Sequence, residues 1–452
     1  MKKLYFYLMA ATAVLGTACE KKLNLANPDA LESEVVFSTE ARLKGVLVGN
    51  YAALGAAAFY GSDVIWMSEL LASDGELNWV GTFNEPRQII TKGILVNNSN
   101  VFATYRDCYR VIFNSNNILA NLGVVKASER AKVEGEALAL RAISYFELVK
   151  LFGEKPYIAG NTTALKGVPL FVGPGPSAPQ SEFYRAPRAS VEAVYTQVIA
   201  DLIKAEAQLP PTNGVYFTKQ SAALLLSRVY LQQGRFAEAR DAADRAIVAA
   251  TGVNQRLVTA YAGAFNNSTN TTEDLFTIQV NLVAGTNSCF SFFSTGTYGA
   301  RDGDIEVNPK HMNKYTAGDA RAALFFFENG FHRVGKWRDN NRNVKVLRLA
   351  EAYLVRAECN SRLGTSVGAT VADDLHRTRA RAGLARIDNP TLANILAERE
   401  LELAFEGQGI WDAKRLRQSV DGLAWDNNRL TFPIPLRERN INPGLEQNPG
   451  YN

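Results

Sequence analysis

The sequence predicts a mostly α protein in which paired helices form a scaffold and a long, loop-rich, partly irregular region forms one face. Three observations carry this. Ala-rich segments place apolar side chains every three or four residues, the period of a buried helix. Two such segments meet at a single glycine, Gly234. Between the periodic segments lie stretches rich in Gly, Pro, Asn, Ser and Thr that hold no helical period.

Residues 1–18 read as a lipoprotein signal peptide. Lys2 and Lys3 precede an apolar run from Leu4 to Leu15, and the small residues Gly16-Thr17-Ala18 lead to Cys19. The run is too short to span a bilayer. Cys19 is the expected lipidation site, because two or more acyl chains give a stable anchor where one binds marginally. Residues 19–27 form a polar tether, and 28–452 one folded domain. Within it, helices are expected over about 38–250 and 345–420, and the irregular region over about 265–340.

The helices justify themselves in turn. Glu134 to Phe152 is apolar at helical spacing and stops at Gly153, with Pro156 beyond. Val191 to Leu209 stops at Pro210-Pro211. Gln220 to Gln233 and Arg235 to Ala250 flank Gly234, and Ala239, Ala243 and Ala246 line the second helix. Leu226, Ser227, Tyr230, Gly234, Phe236, Ala239 and Ala246 resemble a tetratricopeptide-type pair, in which small residues on one helix receive bulky ones from its neighbour. Ala137 to Phe152 and Val346 to Leu363 resemble degenerate first helices of the same unit. Such units bury their apolar faces by stacking, which implies a solenoid-like core. Gly160 to Arg188 and Asn266 to His332 break the pattern, the latter with a strand-like run from Leu275 to Val280. The tail from Leu430 is expected to pack along the body.

Composition narrows the function. The 452 residues are 47% hydrophobic and 21% charged, and loss of Lys2 and Lys3 with the leader lowers the net charge from +4 to +2. That balance gives no argument for nucleic acid. Without Cys19, the three cysteines Cys108, Cys289 and Cys359 allow at most one disulfide, and three buried thiols are an equal reading. His311, His332 and His376 lack metal-ligand spacing, so no metal and no cofactor is expected. Glu398, Glu400, Glu402 and Glu406 sit among Arg399, Lys414 and Arg415 on a half-buried segment, which reads as salt-bridged structure rather than an acid/base pair. No phosphate-cradling GxxxxGK loop occurs. No catalytic residue is assigned.

A resemblance covers nearly the whole mature chain. It is carried by NLANPDA at 24–30 and a helix from Ser38 to Ala56, RAISYFELVKLFGEKPYI at 141–158, and Gly167-Val168-Pro169-Leu170. It continues through LRLAEAYLVRAEC at 347–359, RTRARAGL at 377–384, and ERELELAFEGQGIWDAKR at 398–415. FPIPLRERNINPGLEQNPGY closes it, from Phe432 to Tyr451. With the leader, these blocks resemble the SusD/RagB family of outer-membrane nutrient-binding lipoproteins. Cys359 stands where that family often has Ala, and Ile410-Trp411-Asp412 replaces its usual Arg-x-x-Asp-Leu. The resemblance implies a lipid-anchored protein on the outer membrane, facing the cell exterior, that enzymatically does nothing. It would capture an oligosaccharide for a partner SusC-like TonB-dependent transporter. The alternatives are peptide capture, as in RagB-like members, or a structural lid with no ligand affinity of its own.

A glycan site needs flat aromatic faces for sugar rings and polar side chains for hydroxyls. Residues 74–79, 298–304 and 333–341 hold that mixture, and Asp74, Asn78, Trp79, Tyr298, Arg301 and Trp337 are the expected ligand residues. For Trp337 a packing role that pins its own loop stays open, while Trp66 and Trp411 lie on helical patterns and read as core.

Overall fold

The computed structural model describes residues 33–174, 185–281 and 285–451. The leader, Cys19 and the tether lie outside them.

The main helices are α1 (Glu40–Leu54), α2 (Asp63–Ala72), α3 (Ser99–Ala120), α4 (Ala127–Phe152), α5 (Val191–Gln208), α6 (Lys219–Gln232), α7 (Phe236–Gly252), α8 (Leu349–Leu363), α9 (Val371–Arg381), α10 (Leu392–Glu402) and α11 (Gly409–Arg415). Local chemistry sets their ends. Thr39, Asn98, Ser190 and Thr370 accept hydrogen bonds from the first-turn amides of α1, α3, α5 and α9. Thr218 and Ser221 form a reciprocal capping box on α6. Gly234 takes the left-handed turn (φ 73°) between α6 and α7, and Gly364 (φ 64°) closes α8.

α1 packs on α3, α3 on α4, α4 on α5, and the stack continues through α6, α7 and α8 to α9 and α10. Ala239, Ala242, Ala243, Ala246 and Ala250 of α7 are all buried, which lets its neighbours approach closely. Ala243→Leu is therefore expected to overpack this contact and cost about 1–3 kcal/mol, read as a lower urea midpoint.

Six strands complete the described residues: β1 (Leu77–Trp79), β2 (Asp274–Ile278), β3 (Ile305–Val307), β4 (Phe325–Glu328), β5 (Phe331–Val334) and β6 (Val344–Arg348). β2 and β6 pair antiparallel against α6. The helix expected from Val346 thus starts three residues late. Val344 to Arg348 form a fully buried strand, and the Leu349 amide bonds to Glu273 O as the chain turns into α8. The C-terminal tail lies along the body. The Phe432 amide bonds to Leu151 O, and Asn448 donates to the Phe152 and Phe432 carbonyls. Cys108, Cys289 and Cys359 are free and buried.

Buried ion pairs tie the irregular region to the helices. Arg348 reaches Glu273, Glu402 and Glu406, Arg381 reaches Glu273 and Glu402, and Lys336 holds Glu406. Arg321 pairs with Asp319 and Glu398 in the interior, while Lys314 meets Glu400 at the surface. The carboxylates of the 398–406 segment are salt-bridged, but to partners distant in sequence rather than to Lys414 or Arg415. Asp201 likewise bonds Arg141 at 2.7 Å, while Arg188 donates to the Gly167, Phe152 and Lys166 carbonyls.

Candidate functional site

Two insertions interrupt the helix stack, one between α1 and α3 and the other between α7 and α8. They meet in a four-stranded antiparallel sheet of order β1-β3-β5-β4, with β1 from the first insertion and the rest from the second. β4 and β5 form a hairpin across Asn329-Gly330, both at positive φ (53° and 83°), as a two-residue turn requires.

Alternation sorts the sheet into two faces. Leu77, Trp79, Ile305, Val307 and Val334 are buried and look inward, and Phe325 of the same face packs on Phe405. The register places Asn78 opposite Glu306 and Phe326 opposite Arg333 on the outer face. Glu306 and Arg333 pair at 3.5 Å across β3 and β5. Asn78 and Asn308 exchange side-chain hydrogen bonds of 2.9 and 3.0 Å.

The loop from Ser294 to Asp304 folds over this face. Thr295 and Thr297 donate to the Glu328 carboxylate, and Arg333 donates to Gly303 O at 2.8 Å. Gly303 (φ 80°) passes so close that a Cβ there would lie 3.0 Å from the guanidinium. The loop presents Tyr298, 39% exposed, edge-on to Phe326 at 5.0 Å and flanked by Arg338 at 5.6 Å. Arg301 lies 4.5 Å from the exposed Phe83 ring and 3.3 Å from Asp304. Phe331 is partly exposed beside Arg333, and Phe327 projects on the other side of the hairpin. Half-exposed rings framed by amide, guanidinium and carboxylate groups offer both flat apolar contact and hydrogen bonding.

The six expected ligand residues therefore separate. Asn78 lies on the outer face, and Tyr298 and Arg301 on the loop that covers it. Asp74 stands elsewhere, paired with Lys310 at 2.9 Å. It lies at a cavity of about 740 Å³ bounded by α2, Lys310 to Lys314, α10 and α11. Trp79 and Trp337 are corrected. Trp79 faces inward from β1, as Leu77 does, packed 5.9 Å from Phe292 with its indole donating to Phe83 O. Trp337 is 1% exposed and its indole donates to Phe405 O at 3.2 Å, so it pins the chain and has no face to offer. Trp337→Phe is expected to cost about 1 kcal/mol of stability through the lost hydrogen bond, and to leave ligand affinity unchanged in a titration. Phe326, Phe331 and Phe83 were not anticipated. The FFFENGFHRV alternation about Asn329-Gly330 was the available signal.

The architecture is a helical scaffold that carries one aromatic and polar face built from its insertions. Residues 23–231 match the sequence profile of a SusD-like group described as starch-binding and associating with the outer membrane, and residues 259–431 match that of the SusD family itself. The chain belongs to the SusD/RagB family. Among its relatives, a SusD-like protein, P2, of Formosa agariphila is 25% identical, over 93% of this chain and 94% of that one. Solved structures share the fold. A putative sugar-binding protein of Bacteroides vulgatus superposes with a TM-score of 0.79 at 24% identity, covering 92% of this chain and 99% of that one. A laminarin-binding SusD-like protein gives 0.74, also at 24%, covering 91% and 100%.

Proposed function

We propose that this chain binds an oligosaccharide, without acting on it chemically, on the outer face of the β1-β3-β5-β4 sheet. It would deliver that ligand to a SusC-like TonB-dependent transporter from an outward-facing lipid anchor at Cys19. The observation that carries the reading is the Tyr298–Phe326 pair, partly exposed and flanked by the Arg338 guanidinium. The C–H faces of a sugar ring stack on such rings, while its hydroxyls need the donors and acceptors around them. The family description as starch-binding and the laminarin-binding relative point to the same ligand class. Saturation-transfer NMR tests it. Irradiating aromatic protons of the soluble chain is expected to transfer saturation to sugar ring protons, and this transfer should fall sharply in Tyr298→Ala. Equal transfer in the variant would refute this face as the site.

A further inference from the structure

Two polar groups of the outer sheet face are closed to a ligand: Arg333 is 2% exposed and Glu306 6%. The segment from Ser294 to Asp304 crosses Arg333 as a strap with buried ends and an exposed middle. It is weakly tied. From Thr295 to Gly303, the backbone hydrogen bonds among the described residues run within the strap, as from the Tyr298 and Ala300 amides to Thr295 O. Side chains add the Thr295 and Thr297 hydroxyls on Glu328 and the Arg333 guanidinium on Gly303 O.

Hydrogen bonding beneath the strap is incomplete. Among the described residues Ser294 Oγ and Arg333 Nε have no partner, and Asp304 Oδ2 has only the Arg301 Nε at 3.3 Å. All three atoms are shut away from solvent. The Glu306 carboxylate is reached by Arg333 and by Asn78 at 3.5 Å, too long for strong bonds. A buried polar atom without a partner destabilises the conformation that buries it, and three around one loop call for a cause. We infer that the strap lifts and admits one sugar ring between Tyr298 and the sheet, with Arg333, Glu306 and Asp304 as partners for its hydroxyls. The inference rests on the glycan reading of this face. Lifting gives Ser294 Oγ, Arg333 Nε and Asp304 Oδ2 the partners they lack, which offsets the ties that break. A hydroxyl both donates and accepts, so it serves a guanidinium and a carboxylate alike. Tyr298 rides on the strap and covers the ring from above.

Thiol labelling tests the motion without a ligand. Ser294→Cys puts a thiol at the buried root of the strap, and the buried Cys108, Cys289 and Cys359 are internal controls. In the soluble chain, from residue 20 onward, the new thiol is expected to react with a disulfide reagent at least about tenfold faster than those three. A thermal midpoint matching the wild type establishes that this variant is folded. Gly303→Ala opposes the closed strap, because φ is 80° and a Cβ would lie 3.0 Å from the guanidinium and from Thr295. It should speed labelling further. It should also tighten laminarihexaose binding by about threefold or more in a calorimetric titration, since a closed population lowers apparent affinity. A Ser294→Cys thiol as slow as the controls would overturn the lifting. Fast labelling with unchanged or weaker binding in Gly303→Ala would overturn entry of the sugar beneath the strap. Labelling is read without sugar, so a rigid strap is distinguishable from a failed glycan face. Silence of the wild type toward both laminarihexaose and maltohexaose would remove the occupant whatever the labelling rate.

Discussion

Arg348→Met is expected to destabilise the protein by about 3–5 kcal/mol, the usual cost of removing one partner from a buried ion pair. Arg348 is fully buried and reaches Glu273 at 2.6 Å, Glu402 at 2.9 Å and Glu406 at 2.7 Å. These groups come from the α7–α8 insertion, from α10 and from the turn beyond it, so one guanidinium joins the irregular region to the end of the helix stack. Methionine fills much of the volume but leaves three carboxylates sharing Lys336 and Arg381. Urea unfolding of the variant beside the wild type reads the loss. The same cluster sets an acid limit. Burial alone would raise the Glu406 carboxyl, but Arg348 and Lys336 overcome it and hold it down at about 2. A depressed carboxylate stabilises the fold above its unfolded value of about 4.3, and that contribution is lost as pH falls from there toward 2. Stability measured from pH 5 to pH 2 should fall through that window, and the fall should be smaller in Arg348→Met.

Tyr298→Ala should reduce oligosaccharide affinity by about tenfold or more, the scale of losing one aromatic contact together with its buried area. Its stability cost should be small, because the ring is 39% exposed and contacts the body through Phe326 and Arg338. That combination separates a ligand platform from a core aromatic. Trp337 shows the opposite case: buried and bonded to Phe405 O, it should change stability and leave binding alone. An affinity unchanged by Tyr298→Ala would remove the sheet face from the account.

The helix stack was legible because its signals are local. Apolar spacing, the cap residues and Gly234 all lie within the segments they define. Val346 to Arg348 was misassigned because the strand runs into α8 with no breaker between them, and only its pairing with β2 separates the two. The site was harder to read. β1 is three residues long, too short for its period to show, so nothing local told that Asn78 faces out and Trp79 faces in. Trp337 is buried with its indole on the Phe405 carbonyl, which lies far along the chain, and such burial leaves no trace in the residues around it. Tyr298 and Arg301 belong to a loop rich in Gly and Asp, a local signal for exposure, and the proposed face includes them. The partners that complete the face, Phe326 and Phe331, sit on a hairpin whose Asn-Gly turn was visible but not used.

The most direct measurement is calorimetric titration of the soluble chain, starting after Cys19, against neutral oligosaccharides and short peptides. Saturable heat with one glycan class, lost in Tyr298→Ala, is the expected result. Heat from peptides alone, or silence across both panels, would contradict glycan capture on this face and favour peptide capture or a lid that binds nothing by itself.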